Sequence, residues 1–193
     1  MKILDLFSGL GGFSQAFIEA GDEVITVDLE KRFNPRLLSD VRDLTLYEDG
    51  WDIVLASPPC EAFSVAGLPH HWKSHVPDQH VSHGLALVAA TFRTIAQTRP
   101  KAWFLENPTG MLRKLIGAPR ETIYLCSYGA RWKKPTDIWG LYPKKLAKPC
   151  GPHEAAPRGS KSGINGPYSA AERAKLPYAL SETIRSMLIP VST

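Results

Sequence analysis

Long apolar runs are missing from this chain. None approaches the ~18–20 residues that a membrane-spanning helix needs. The N-terminus, MKILDLFSG, has one lysine, a short apolar stretch and then an acid. It lacks the extended hydrophobic segment of a secretory leader and reads as a first strand. Cysteine is also scarce. Three residues, Cys60, Cys126 and Cys150, cannot all pair within one chain, so no disulfide framework is expected and a reducing, cytoplasmic setting is favoured. Neither sign of charge dominates: 23 Lys and Arg against 19 Asp and Glu leave a net +4, which permits a nucleic-acid partner without requiring one. Internal repeats and low-complexity tracts are absent. With 44% hydrophobic and 22% charged residues, usage is ordinary globular, which excludes disordered and collagen-like classes. A length of 193 residues allows one core and little room for a second large domain.

What is present is an alternation of apolar segments and turns. Lys2–Leu6, Glu23–Val27, Trp51–Ala56, Ala102–Leu105, Thr122–Cys126 and Asp137–Trp139 read as strands. Phe13–Ala20, Val81–Gln97 and Ala170–Leu188 carry helical spacing, the last with Ser169 and Glu172 as a capping box. Segments 62–79 and 142–167 read as loops. Alternating βα units predict a doubly wound, mostly parallel α/β sheet of Rossmann-like type. Ligands of such sheets sit outside the carboxyl ends of the strands, and each unusual turn of this chain follows a strand.

The first such turn is Ser8-Gly9-Leu10-Gly11-Gly12. Its glycines allow close backbone approach, and the helix N-terminus beyond it favours an anion. Asp28 ends the second strand near the offset of a ribose-binding acid, so the pair favours a small molecule containing adenosine. The second turn is Ser57-Pro58-Pro59-Cys60, where two prolines stiffen the support of a cysteine. The third, Glu106-Asn107-Pro108, places an acid beside Trp103 and Phe104, whose desolvation raises its pKa and lets it donate a proton near neutrality.

Taken together, Asp5-Leu6-Phe7-Ser8-Gly9-Leu10-Gly11-Gly12-Phe13-Ser14, Pro58-Pro59-Cys60-Glu61-Ala62-Phe63-Ser64 and Glu106-Asn107-Pro108 resemble, in order and spacing, the three leading motifs of the cytosine-C5 DNA methyltransferases. The resemblance covers about residues 2–140 and implies a class I S-adenosylmethionine-dependent methyltransferase fold. It also implies roles. Phe7, Ser8, Gly9, Leu10, Gly11, Gly12 and Pro58 would hold S-adenosylmethionine, with Phe7 against the adenine. Asp28 would take the ribose hydroxyls, and Asp43 would sit near the adenine amino group. Cys60 would be the nucleophile and Glu106 the acid, with Ser64 and Asn107 on the DNA side. The implied partner is DNA and the implied chemistry is addition of a thiolate at cytosine C6, on a base taken out of the stack. A monomer is expected.

Three departures qualify the resemblance. Glu61 stands where the family has glutamine. The basic Gln-Arg-Arg-x-Arg motif is replaced by Tyr128-Gly129-Ala130-Arg131-Trp132-Lys133-Lys134, which leaves Arg131, Lys133 and Lys134 as equal candidates for base and phosphate contacts. The late Gly-Asn-x-Val-Pro motif survives only as Pro177 and the helix after it. The expected division is a catalytic part over residues 1–140, a reduced recognition region over 141–168 and a closing helix over 169–193. Such a size is similar to versions encoded by bacterial viruses and predicts a short or relaxed target. His70, His71, His75, His80 and His83 are irregularly spaced for a metal, and Cys150 and His153 with Cys126 lack a second pair, so no metal is expected. Two other functions remain open: action on a free nucleotide or RNA, and a non-catalytic module that holds DNA or cofactor.

Overall fold

The computed structural model describes residues 1–46, 50–73, 76–131, 133–149 and 170–189. In chain order the described elements are β1 (Lys2–Leu6), α1 (Gln15–Glu19), β2 (Glu23–Asp28), β3 (Leu37–Leu38), β4 (Ile53–Ala56), α2 (Leu68–His71), α3 (Gln79–Thr98), β5 (Ala102–Pro108), α4 (Leu112–Leu115), β6 (Glu121–Tyr124), β7 (Pro135–Leu141), α5 (Ala170–Ala174) and α6 (Tyr178–Leu188). The strands form one sheet in the order β3-β2-β1-β4-β5-β7-β6. From β3 to β5 all neighbours are parallel, while β7 runs antiparallel to both β5 and β6. The order reverses between β1 and β4, which is the switch point where such sheets open a crevice. Because β7 is reversed, its N-terminal end lies on the same edge as the carboxyl ends of β1, β2, β4 and β5. The expected α/β class and mostly parallel sheet are those observed. None of the described helices is long and apolar enough to cross a membrane.

The central strands are apolar because both faces are covered. All four residues of β4 are buried. On one face Phe13, Phe17 of α1, and Leu180 and Ile184 of α6 join Phe104 and Tyr142, whose rings stack with centroids 4.5 Å apart. On the other, α3 contributes Val81 and Val88 beside Phe63, Leu105 and Trp139. Asp78 caps α3, accepting the backbone N–H groups of His80 and Val81, which satisfies two of the donors left open at a helix start.

Asp5 is an acid in this apolar layer. Its side chain is fully buried, accepts the Ser14 hydroxyl at 2.5 Å and leaves its other oxygen without a partner. Burial pushes its pKa up to about 7; the Ser14 bond opposes this and the charge of Asp28 adds to it. In the unfolded chain it titrates near ~4. The neutral form is therefore the one the fold prefers, and its contribution is complete below pH ~4 and is lost as pH rises toward 7. Asp5→Asn is expected to gain thermal stability relative to the native chain as pH increases from 5 to 8, and melting scans at fixed pH check the sign.

The closing helix differs from the expected single span over Ala170–Leu188. It is two helices, because Pro177 has no N–H to continue a helix and forces Leu176 out of helical geometry. The capping residue Ser169 lies outside the described residues. The link between α5 and α6 rests on Gly12. A Cβ at Gly12 would stand 2.4 Å from the Leu176 carbonyl oxygen and 2.8 Å from its nitrogen. Gly12→Ala is expected to cost about 1–3 kcal/mol and to loosen this link. The checks are a lower urea midpoint and faster tryptic cleavage after Lys175.

Candidate active site

The turn after β1 has a demanding backbone. Phe7 has φ 60° and Gly9 has φ 49°. Phe7 pays the cost of a left-handed conformation, about 1–3 kcal/mol for a side chain of its kind. The strain is held in place from β2. Ser8 N–H donates to the Val27 carbonyl at 3.1 Å, and Gly9 N–H donates to Asp28 Oδ2 at 2.8 Å. The second Asp28 oxygen accepts the Glu30 N–H at 2.9 Å. Asp28 thus builds the turn as well as facing the space beside it. That space is a cavity of about 360 Å³ at the sheet edge, bounded by this turn, the end of β2, Ser39–Val41, the Pro58–Glu61 segment and the end of β5.

Cys60 reaches the cavity from the far side. Asn107, fully buried on β5, donates its side-chain amide to the Pro58 carbonyl at 3.0 Å. The Cys60 carbonyl accepts the N–H groups of Phe63 at 3.0 Å and Ser64 at 2.8 Å, and Phe63 anchors the turn in the core. Cys60 is a free thiol. Burial raises its pKa to about 11; the charges of Glu106 and Glu61 raise it and that of Lys134 lowers it. Glu106 is buried, with Oε1 lacking any hydrogen-bond partner. Burial raises its pKa, Lys134 opposes this and Asp137 adds to it. One cavity therefore holds a thiol, a buried carboxyl whose pKa is raised and a lysine that lowers the pKa of both. Glu106→Gln removes a negative charge from beside the thiol. Iodoacetamide is expected to alkylate Cys60 severalfold faster at pH 8 in that variant, measured by mass spectrometry.

Most of the expected site residues converge here. Phe7, Ser8, Gly9, Leu10, Gly12, Asp28, Pro58, Cys60, Glu106 and Lys134 all face the cavity. Others do not. Asp43 is exposed and off the cavity lining, whereas Asp40 is on it. The turn that hydrogen-bonds Asp43 N–H to the Asp40 carbonyl at 3.0 Å carries Asp43 away. Gly11 also lies outside the lining. Ser64 Oγ accepts the Gly67 N–H at 3.2 Å and closes the loop. Lys133 lies over the Tyr124 ring at 4.7 Å, and Arg131 is exposed away from the cavity, so Lys134 is the one cation of the three that enters it. Residues missed in the sequence include Leu29, Glu30, Lys175 and Leu176, all on the lining. The last two occupy the position of the weakened late motif.

Two expectations about cysteine and histidine change. Cys126 is buried and disulfide-bonded, which departs from the disulfide-free reading and removes it from any zinc set. Cys150 and His153, with segment 150–169, lie outside the described residues. His71 and His80, irregular in sequence, meet at Asp78.

Residues 1–124 match the C-5 cytosine-specific DNA methylases. A protein of frog virus 3 (isolate Goorha), named as a probable DNA (cytosine-5)-methyltransferase, is 30% identical over 176 residues, covering 86% of this chain and 82% of its own length. The type II methyltransferase M1.HphI of Haemophilus parahaemolyticus is 28% identical over 141 residues, 64% of this chain. A solved structure of an E. coli prophage-encoded protein, assigned as a DNA modification methyltransferase, superposes with TM-score 0.51 at 17% identity over 77% of this chain. The chain spans 36% of that bacterial enzyme's length and 52% of the solved structure's.

Proposed function

The chain belongs to the C-5 cytosine-specific DNA methylase family, and on that premise we propose that it methylates C5 of cytosine in DNA through a covalent bond between Cys60 and C6. The observation that carries this reading is the shared cavity of Cys60, Glu106 and Lys134 with the glycine turn.

The residues around the turn fit S-adenosylmethionine. Asp28 keeps free lone pairs for ribose hydroxyls beyond its two backbone bonds. Asp40 offers an acceptor for an adenine amino group, and Phe7, Leu29 and Val41 supply apolar surface. Bound there, the cofactor would supply an electrophilic methyl group.

The chain's own residues do the rest. Cytosine C5 is too weak a nucleophile to be alkylated directly. The Cys60 thiolate adds to C6 while Glu106 holds a proton at N3, and the ring becomes an enamine with electron density at C5. Lys134 lowers the cost of the thiolate. After transfer, loss of the C5 proton and expulsion of the Cys60 thiolate restore the aromatic ring. Asn107 positions both partners, since it neighbours Glu106 on β5 and holds the Pro58 carbonyl. Stacked DNA hides C6, so the base is flipped or unpaired. The reduced region between β7 and α5 supports a short or relaxed target sequence.

The test is methyl transfer from labelled S-adenosylmethionine to duplex DNA, RNA and dCMP in parallel, followed by base-resolution mapping of the DNA product. Turnover on duplex DNA with label at cytosine C5 is expected. Preference for RNA or dCMP overturns the DNA assignment, and cofactor binding without transfer overturns the enzyme.

A further inference from the structure

We infer that His71, Asp78 and His80 form a site for a divalent transition metal that fastens the segment following Cys60 to the start of α3. His71 is the last residue of α2, Asp78 caps α3, and His80 lies in its first turn. Nδ1 of His71 stands 3.0 Å from Asp78 Oδ2, and Nδ1 of His80 stands 3.3 Å from the same oxygen. One ligand atom from each residue lies within 4.8 Å of the others. A tetrahedral ion with bonds of about 2.0–2.1 Å holds its ligand atoms roughly 3.3 Å apart, so Asp78 Oδ2 already stands near metal spacing from each imidazole. Loss of the Nδ1 protons, with the rings taking the other tautomer, turns both nitrogens inward as lone pairs.

The surroundings suit such an ion. Asp78 turns one carboxylate oxygen, Oδ2, toward both imidazoles. Its other oxygen accepts the N–H groups of His80 at 2.9 Å and Val81 at 3.3 Å, which fixes its orientation in the way that outer partners orient a metal ligand. The charge of Asp78 also lies between the ion and the positive end of α3. His80 is exposed and His71 half-buried, which leaves room for water as a fourth ligand. Two imidazoles and one carboxylate suit Zn²⁺, Co²⁺ or Ni²⁺ better than the oxygen-seeking Mg²⁺ or Ca²⁺.

The consequence reaches Cys60 through the chain. The His71 carbonyl accepts Asp78 N–H at 3.0 Å, and the next residue, Trp72, donates its indole N–H to the Ala62 carbonyl at 2.7 Å. A metal that locks His71 to α3 therefore fixes the span from Ala62 to Trp72, which leads directly from the nucleophile.

The experiment uses the tag-free chain, stripped with chelator and titrated with Co²⁺ by visible absorption and with Zn²⁺ by calorimetry. Binding of one ion per chain is expected, with Co²⁺ bands of low-coordinate geometry and slower tryptic cleavage at Lys73 when Zn²⁺ is present. His71→Ala and His80→Ala should each weaken binding by about tenfold or more, and His80, being exposed, can be replaced without disturbing the core. Cys60→Ser should bind as the native chain does. Absence of one-to-one binding overturns the site. So does equal binding by the His71→Ala/His80→Ala double variant, or loss of binding in Cys60→Ser, which would move the ion to the thiol.

Discussion

Cys60→Ala is expected to lower methyl transfer to DNA by roughly 10⁴-fold or more while leaving cofactor affinity within a few-fold of native. The expectation follows from the absence of a substitute. Among the described residues Cys60 supplies the one thiol on the cavity lining, and Cys126 is disulfide-bonded elsewhere. The adenosine side of the cavity, built on Phe7, Asp28 and Asp40, does not depend on the sulfur. Transfer assays and calorimetry with S-adenosylmethionine separate the two effects. DNA containing 5-fluorocytosine sharpens the result, because fluorine at C5 cannot leave as a proton does and the Cys60–C6 bond is trapped. The native chain should give a complex that survives denaturation, and Cys60→Ala should give none. Cofactor binding with no trapped complex in the native chain would favour a binding module instead. The pH dependence has a defined sign. With the thiol pushed up to about 11, the thiolate fraction increases tenfold per unit across pH 7–9, and the transfer rate should climb with it. Glu106 must keep its proton, so the climb bends where that carboxyl ionises; Asp137 moves the bend to higher pH and Lys134 to lower.

The sequence was most legible where local chemistry is self-contained. The strand-to-turn units at Ser8–Gly12, Ser57–Cys60 and Glu106–Pro108 need no distant partner to be recognised, and the structure gathers all three at one edge. What failed to show was direction and register. Periodicity marks Asp137–Trp139 as a strand but is silent on its orientation. Only when β7 runs antiparallel and pairs Ile138 with Glu106 does Lys134, rather than Arg131 or Lys133, fall at the mouth beside that acid. The choice between Asp40 and Asp43 was hidden for a similar reason, since one hydrogen-bonded turn decides which acid faces the cavity. The break at Pro177 was missed, because helical spacing over Ala170–Leu188 runs through it. Its setting was hidden as well, because it depends on Gly12 lying against Leu176, more than 160 residues away in the chain.

Arg113→Ala is expected to cost about 3 kcal/mol of stability, toward the lower end of the range for breaking a buried ion pair because the arginine is itself partly exposed. Asp137 is fully buried on β7, whereas the Arg113 side chain is 35% exposed. The guanidinium grips the carboxylate through two nitrogens, with Nε at 2.8 Å from Oδ2 and Nη2 on Oδ1, a bidentate arrangement. Thr109 at 3.0 Å and Thr122 at 2.8 Å also donate to Oδ1. These hydroxyls soften the loss of the arginine but cannot neutralise the charge. Removing Arg113 therefore leaves a buried anion opposite Asn107 in the β5–β7 register and close enough to raise the pKa of Glu106. Two consequences should appear together: a lower urea midpoint with unchanged slope, and a bend in the pH–rate profile that moves to higher pH as Glu106 holds its proton more tightly. Asp137→Asn separates charge from packing, because it keeps the shape, removes the anion and should move the same bend to lower pH. A stability loss below about 1 kcal/mol in Arg113→Ala would place this pair with the surface bridges, whose contribution is small. In that case β7 would owe its position to its pairing with β5 and β6 and to the apolar packing of Ile138 and Trp139.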